Sequence, residues 1–177
     1  DKAAKIMDLG YPGGPAVSKA AMLAKDDKTF DINLPRPMLQ KGFDMSFSGL
    51  KTAVLYLWQD LQKKLSEKDL EIAKNYVAKE FQQAVVDVLV YKTIQAAKKY
   101  NVKTVLVGGG VSANRELRNQ LEQSVKKNLE NVIISFPDIG LTGDNATMIA
   151  MAAYYHIQKK QFVKPFELRA NPNWQLI

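Results

Sequence analysis

Apolar positions along this chain alternate between helical and strand-like spacing, and the changes of spacing mark out its elements. Residues 1–9 predict a helix with Ala4 and either Met7 or Ile6 turned inward, closed by Gly10. Tyr11-Pro12-Gly13-Gly14-Pro15 predicts a rigid turn, because proline fixes φ and glycine admits positive φ. A second short helix is expected over 16–24, and the charged residues 25–29 predict a loop. The two prolines of Leu34-Pro35-Arg36-Pro37 force extended backbone within 30–38. Residues 43–47 alternate apolar and polar, which predicts a short strand. A helix is expected from Ser48, its cap, through Trp58 and Leu61 to about Lys64. Ser66 with Asp69 reads as a capping box opening the longest helical pattern, over 69–100, with Ala73, Val77, Phe81, Val85, Leu89 and Ile94 inward. Its length predicts a break or kink.

The stretch from 104 to 121 carries the densest signal. A β-branched run at 104–107 is followed by Gly108-Gly109-Gly110, by Ser112 as the expected cap, and by a helix with Leu117 and Leu121 inward. Three adjacent glycines cost backbone entropy and suit a sharp turn or a close approach to the backbone. A helix head after such a turn offers free N–H groups to a phosphate or nucleotide; the alternative is an ordinary connection without a ligand. Residues 132–136 predict a buried strand ended by Pro137, 138–143 a loop, and 146–157 a small-residue helix suited to close packing. The tail is basic, then rich in Pro and Asn.

With 177 residues, the chain suits one domain or slightly more. A net charge of +7 would draw a polyanion such as RNA; the alternative is a solvated lysine-rich surface, since the lysines are dispersed. The absence of cysteine removes disulfides, thiolate metal sites and cysteine nucleophiles, and makes a reducing, cytoplasmic setting the expectation. No apolar run has the ~18 residues of a membrane span, so no membrane partner is expected. The start at Asp1, directly in a helical pattern, reads as a cut within a longer protein.

Among residues able to carry chemistry, Asp144 stands at the start of a helix in a Gly-Asp-Asn loop, where it is either a helix cap or a metal ligand. As a ligand it needs partners, and the lone histidine, His156, lies 12 positions along the same helix, roughly 18 Å away at 1.5 Å per residue. The remaining ligands would therefore come from outside this segment. Asn114 heads the helix after the glycine turn; its amide suits either a base or ribose, or the local backbone. There is no phosphate-loop lysine motif, no His-Glu-x-x-His, and no credible Ser-His-Asp set. No catalytic side chain is expected within the chain itself.

Five motifs occur in an order that resembles one family: Tyr11-Pro12-Gly13-Gly14-Pro15, Leu34-Pro35-Arg36-Pro37-Met38, Phe47-Ser48-Gly49-Leu50-Lys51-Thr52-Ala53, Gly108 to Asn114 followed by Arg115, and Asp144-Asn145-Ala146 with Met148-Ile149-Ala150. The chain resembles the universal tRNA threonylcarbamoyladenosine transferases, formerly labelled O-sialoglycoprotein endopeptidases. The resemblance implies an α/β, actin-like (ASKHA, ribonuclease H-like) ATPase fold, of which residues 1–177 would be the helix-rich C-terminal lobe with a few strands. It implies transfer of threonylcarbamoyl from its adenylate to the exocyclic amine of the adenosine beside the anticodon, with tRNA and accessory pathway proteins as partners. Carried over by motif, Asp1 would touch the ribose, Gly14 would let the nucleotide approach the backbone, and Asn114 would contact the nucleotide. Asp144 would bind one divalent metal ion, iron or zinc, with histidines of an absent N-terminal lobe. The nucleotide would be threonylcarbamoyl-AMP or ATP. Arg115 and Arg118 are our own candidates for tRNA phosphates.

Two departures are visible. The family usually has threonine directly before the metal-binding aspartate, whereas Gly143 stands there and Thr142 one place earlier; and the usual Pro-Arg-Trp-Pro appears as Pro172-Asn173-Trp174-Gln175. Two other functions fit parts of the pattern. An actin-fold small-molecule kinase or ATPase would share the glycine turn but not the motifs at 11–15 and 144–146. A partner-binding assembly module would need no nucleotide at Gly14 or Asn114.

Overall fold

The computed structural model describes residues 1–25 and 29–173, so the middle of the expected 25–29 loop and the Trp174-Gln175 departure lie outside the described residues. The chain divides into two compact units, Asp1–Thr142 and Gly143–Ile177. The first is helix-rich with one small sheet.

Helix α1 (Lys2–Ile6) buries Ala3 and Ala4 and leads into Met7, which is fully buried. Its end is sealed by the Leu9 N–H donating to the Ala4 carbonyl, with Gly10 at φ 87° beyond, so the predicted stop holds although the helix is shorter. Helix α2 (Gly13–Leu23) starts three residues earlier than expected. Pro12 is its cap and Pro15 sits in the first turn, where a missing N–H costs nothing because those groups have no intrahelical partner. The turn is therefore only Tyr11 and Pro12.

Helix α3 (Ser48–Lys64) ends where predicted, but its cap is Phe47 rather than Ser48, without a side-chain cap bond. No strand forms over 43–47. The carbonyls of Lys41, Gly42 and Asp44 instead converge on the buried ammonium of Lys92, at 2.9, 3.0 and 2.6 Å.

Helix α4 (Glu67–Tyr100) is capped by Ser66, whose hydroxyl accepts from the Asp69 N–H, as expected. It runs without a break for 34 residues, about 51 Å along its axis, where a break or kink was expected. Tertiary packing sustains it, because its buried residues lie on several faces: besides Ala73, Val77 and Ile94 these are Tyr76, Ala78, Ala84, Val86, Val88 and Ala97, while Phe81, Val85 and Leu89 are only half-buried. Asn101, in the left-handed conformation, ends it.

One core cluster joins Met7, Val17, Leu50, Val54, Trp58, Val77 and Ala84, from α1 to the first half of α4. Each large aliphatic side chain so buried contributes about 1.5–3 kcal/mol. A second cluster packs Val86 against Leu117 and Leu121 of helix α5 (Arg115–Asn128), with Val107, Ile134 and Phe136 at its border. Strands β1 (Thr104–Leu106) and β2 (Ile133–Ser135) pair in parallel, Val105 opposite Ile134. The expected burial of the second strand holds on one face only: Val105 and Ile134 are half-buried, whereas Leu106 and Ile133 are exposed.

In the second unit, helix α6 (Ala146–Gln158) forms as expected, but none of its residues is buried, so its small side chains are not in close packing. No helix among the described residues is long and apolar enough to cross a membrane.

Candidate functional site

The first wall of the candidate site is built by the turn between α1 and α2. Asp1 caps α1 in position, and its Oδ1 reaches across to accept from the Gly13 N–H at 2.8 Å. Gly13 is buried against it: a Cβ there would lie 2.5 Å from the Asp1 Cα and 2.6 Å from its Oδ1. No larger residue fits. Gly14, next to it, faces open space, with nothing within 4 Å of where a Cβ would be. The carboxylate thus holds the turn with one oxygen, while Oδ2 has no partner among the described residues.

The second wall is the glycine turn. Gly108 to Gly110 are exposed, Gly109 sits at φ 80°, and none of the three has a neighbour within 4 Å of its Cβ position. Only Gly109 needs glycine for its conformation. The chain then makes a 3-10 turn over Gly110–Ala113 before α5 begins. That extra turn moves the cap. Ser112 is not the N-cap; it is buried, and its hydroxyl has no hydrogen-bond partner among the described residues. Asn114 caps the helix instead, Oδ1 accepting from the Leu117 N–H at 2.9 Å.

The other end of the Asn114 amide is also engaged. Nδ2 donates to the Ser18 hydroxyl of α2 at 3.0 Å and to the Gln82 Oε1 of α4 at 2.8 Å, and Ser18 in turn donates to Gln82 at 2.9 Å. Both ends of the side chain are thus engaged by the fold, and beside it the head of α5 presents free N–H groups. Arg118, expected to face phosphate, turns inward: it donates to the Pro137 carbonyl at 2.7 Å and lies over the Phe136 ring, tying α5 to the loop after β2. Arg115 is exposed.

Asp144 lies in the second unit. Asn145, not Asp144, caps α6, its side chain accepting from the Met148 N–H at 3.0 Å. Asp144 is exposed and bears no hydrogen bond or ion pair among the described residues, so its carboxylate is not spent on the helix. It fits the role of one hard oxygen ligand. It does not make a complete set: among the described residues no three His, Cys, Asp or Glu side chains group to hold a metal ion. His156 is bonded through Nδ1 to Gln161 at 2.8 Å. The Thr142 hydroxyl donates to the Ile139 carbonyl at 2.8 Å.

Three polar side chains, Arg36, Gln82 and Lys92, tie other segments to α4, and the sequence singled out no such role for them. Arg36 pairs with Glu80 and, at 2.8 Å, with Asp87, while Glu80 also accepts from the Leu34 N–H; this pins the proline-rich segment to α4. The Glu80 hydrogen bond raises the Arg36 pKa above its ordinary value against the opposing effect of burial, and Asp87 adds to the rise. Gln82 and Lys92 sit within an apolar helical pattern, where a periodicity argument passes over them. Arg36 alone had a visible marker, its place between two prolines.

A family model described as tRNA N6-adenosine threonylcarbamoyltransferase matches residues 1–151. Curated proteins of the same description are similar over nearly the whole chain. One from Syntrophomonas wolfei is 41% identical over 98% of this chain and 48% of its own length. One from Thermosipho africanus is 42% identical over 99% and 50%. One from Staphylococcus haemolyticus is 45% identical over 89% and 44%. The chain spans about half the length of the curated relatives it matches.

Proposed function

This chain belongs to the tRNA N6-adenosine threonylcarbamoyltransferase family, and from that premise we propose that it supplies the C-terminal lobe of an actin-like enzyme acting on tRNA. That enzyme transfers threonylcarbamoyl from its adenylate to the exocyclic amine of the adenosine beside the anticodon, with the help of accessory proteins of the same pathway. The observation that carries this reading is the turn at Asp1 and Gly13, which leaves Gly14 bare and one carboxylate oxygen unspent beside it.

The transfer is an acyl substitution. The amine nitrogen attacks the carbamoyl carbon, the C–N bond forms as the C–O bond to the adenylate phosphate breaks, AMP leaves with the bonding pair, and the amine gives up one proton. The residues of this chain bind and orient. Asp1 accepts from a ribose hydroxyl through Oδ2, the bare Gly14 backbone lets the nucleotide lie close, and the head of α5 beyond the glycine turn offers N–H groups to its polar edge. Asp144 would give one oxygen to a divalent cation, iron or zinc, and the described residues offer no complete ligand set, so its other ligands would have to come from elsewhere. Such a cation supplies Lewis acidity and a template for the activated acyl group.

The test is to incubate the full-length protein with threonylcarbamoyl-AMP and unmodified tRNA, then digest the tRNA and look for threonylcarbamoyladenosine by mass spectrometry. Formation of the modified nucleoside is expected. A protein that binds its partners yet never modifies tRNA, or that phosphorylates a small alcohol or acid from ATP, overturns the reading.

A further inference from the structure

Gln82 stands near the middle of α4, half-buried, at the point where three helices meet. Its Oε1 is the common acceptor for the Ser18 hydroxyl of α2 and the Asn114 amide of α5, and those two are also bonded to each other, so the three side chains close a triangle with edges of 2.9, 2.8 and 3.0 Å. The partners are far apart in sequence. Ser18 follows the bare Gly14 by one helical turn, and Asn114 is the cap that sets where α5 begins after the glycine turn. The two walls of the candidate site thus meet at a single oxygen.

We propose that Gln82 is a positioning residue for the adenine nucleotide: its Oε1 locks the head of α2 and the head of α5 at a fixed separation, so that the Gly14 backbone and the glycine turn form one preorganised cradle. The proposal rests on the transferase reading. Gln82 need not touch the nucleotide, because its two donors transmit the constraint. A carboxylate would serve equally, since both contacts to Oε1 come from donors. Removal of the oxygen would leave the Ser18 hydroxyl without an acceptor and the Asn114 amide with Ser18 as its one remaining partner for Nδ2 in a half-buried place, and each would relax towards water by turning its helix head.

The experiment uses the full-length enzyme and compares Gln82→Met, which keeps the volume and removes the acceptor, with Gln82→Glu, which keeps it. Affinity for AMP is measured by calorimetry, and KM for threonylcarbamoyl-AMP and for tRNA by transfer assay. Gln82→Met is expected to weaken AMP binding and raise the KM for the adenylate by about fivefold, the low end of the scale for an orphaned donor because the site is half-buried. The KM for tRNA should be unchanged and Gln82→Glu should behave as wild type. If Gln82→Met does not fold, Ser18→Ala removes another corner of the same triangle, with about a threefold effect on AMP affinity expected. Wild-type AMP affinity in Gln82→Met or Ser18→Ala, or equal losses toward both substrates, overturns the positioning role. A wild-type enzyme that binds AMP in neither calorimetry nor competition overturns the transferase reading beneath it, and is told apart by being independent of Gln82.

Discussion

Replacing Lys92 with methionine tests how the segment before α3 is held. The Lys92 ammonium is buried, and it donates to the carbonyls of Lys41, Gly42 and Asp44 at 2.9, 3.0 and 2.6 Å. A hydrogen bond to a charged group contributes about 1.5–3 kcal/mol. The sum over three is offset by the several kcal/mol that burying the ammonium costs. The abandoned carbonyls belong to exposed residues and can bind water, which places the net loss for Lys92→Met near 2–3 kcal/mol. For a chain of this size that corresponds to a melting temperature lower by about 4–12 °C. The assay is thermal unfolding followed by far-ultraviolet circular dichroism, with hydrogen exchange at residues 41–45 as the local readout. Lys92→Arg should not rescue, because a planar fork does not match three oxygens converging on a point. A Lys92→Met protein melting within about 1 °C of wild type, a shift typical of neutral surface changes, would refute the reasoning.

Other outcomes follow from the same geometry. Arg36→Met should cost about 1 kcal/mol in a urea titration, a modest figure because the pair with Glu80 and Asp87 is partly solvated. Because the Arg36 pKa is raised above its ordinary value, the part of its contribution set by guanidinium ionisation is complete below the ordinary value and fades as pH climbs through the raised one; the Arg36→Met deficit should therefore not depend on Arg36 ionisation around neutrality. Gly13→Ala should lower the melting temperature sharply, since its Cβ would meet Asp1 backbone at 2.5 Å, whereas Gly14→Ala should melt as wild type and lose affinity for AMP. Asn145→Ala should cost about 1 kcal/mol through the lost cap of α6, while Asp144→Asn should leave stability unchanged and lower the metal content of the full-length protein, read by elemental analysis.

What the sequence makes legible here is local, and what it hides is not. The capping box at Ser66 and the end of α3 at Lys64 are decided by residues within a turn of each other. Asn114 was a candidate from its place alone, yet its cap role depends on a 3-10 turn that no residue pattern announces, which is why Ser112 looks like the cap. The strand pattern at 43–47 is overridden from 48 positions away, where Lys92 takes the Asp44 carbonyl within it and those of Lys41 and Gly42 just before it. Of the break or kink expected in α4, no break occurs, because packing on several faces offsets what helix propensity alone would not. Asp1 and Gly14 were named from motifs, but the reason the turn tolerates nothing larger lies in Gly13, visible only once Asp1 folds over it.

The uninterrupted α4 has a mechanical consequence. Its Val77 and Ala84 belong to one apolar cluster and its Val86 to the other, so the same rod is an axle through both. Neither can loosen without dragging the axle and hence its neighbour, and damage at either end is felt as a single cooperative loss across Asp1–Thr142 rather than as fraying of one half.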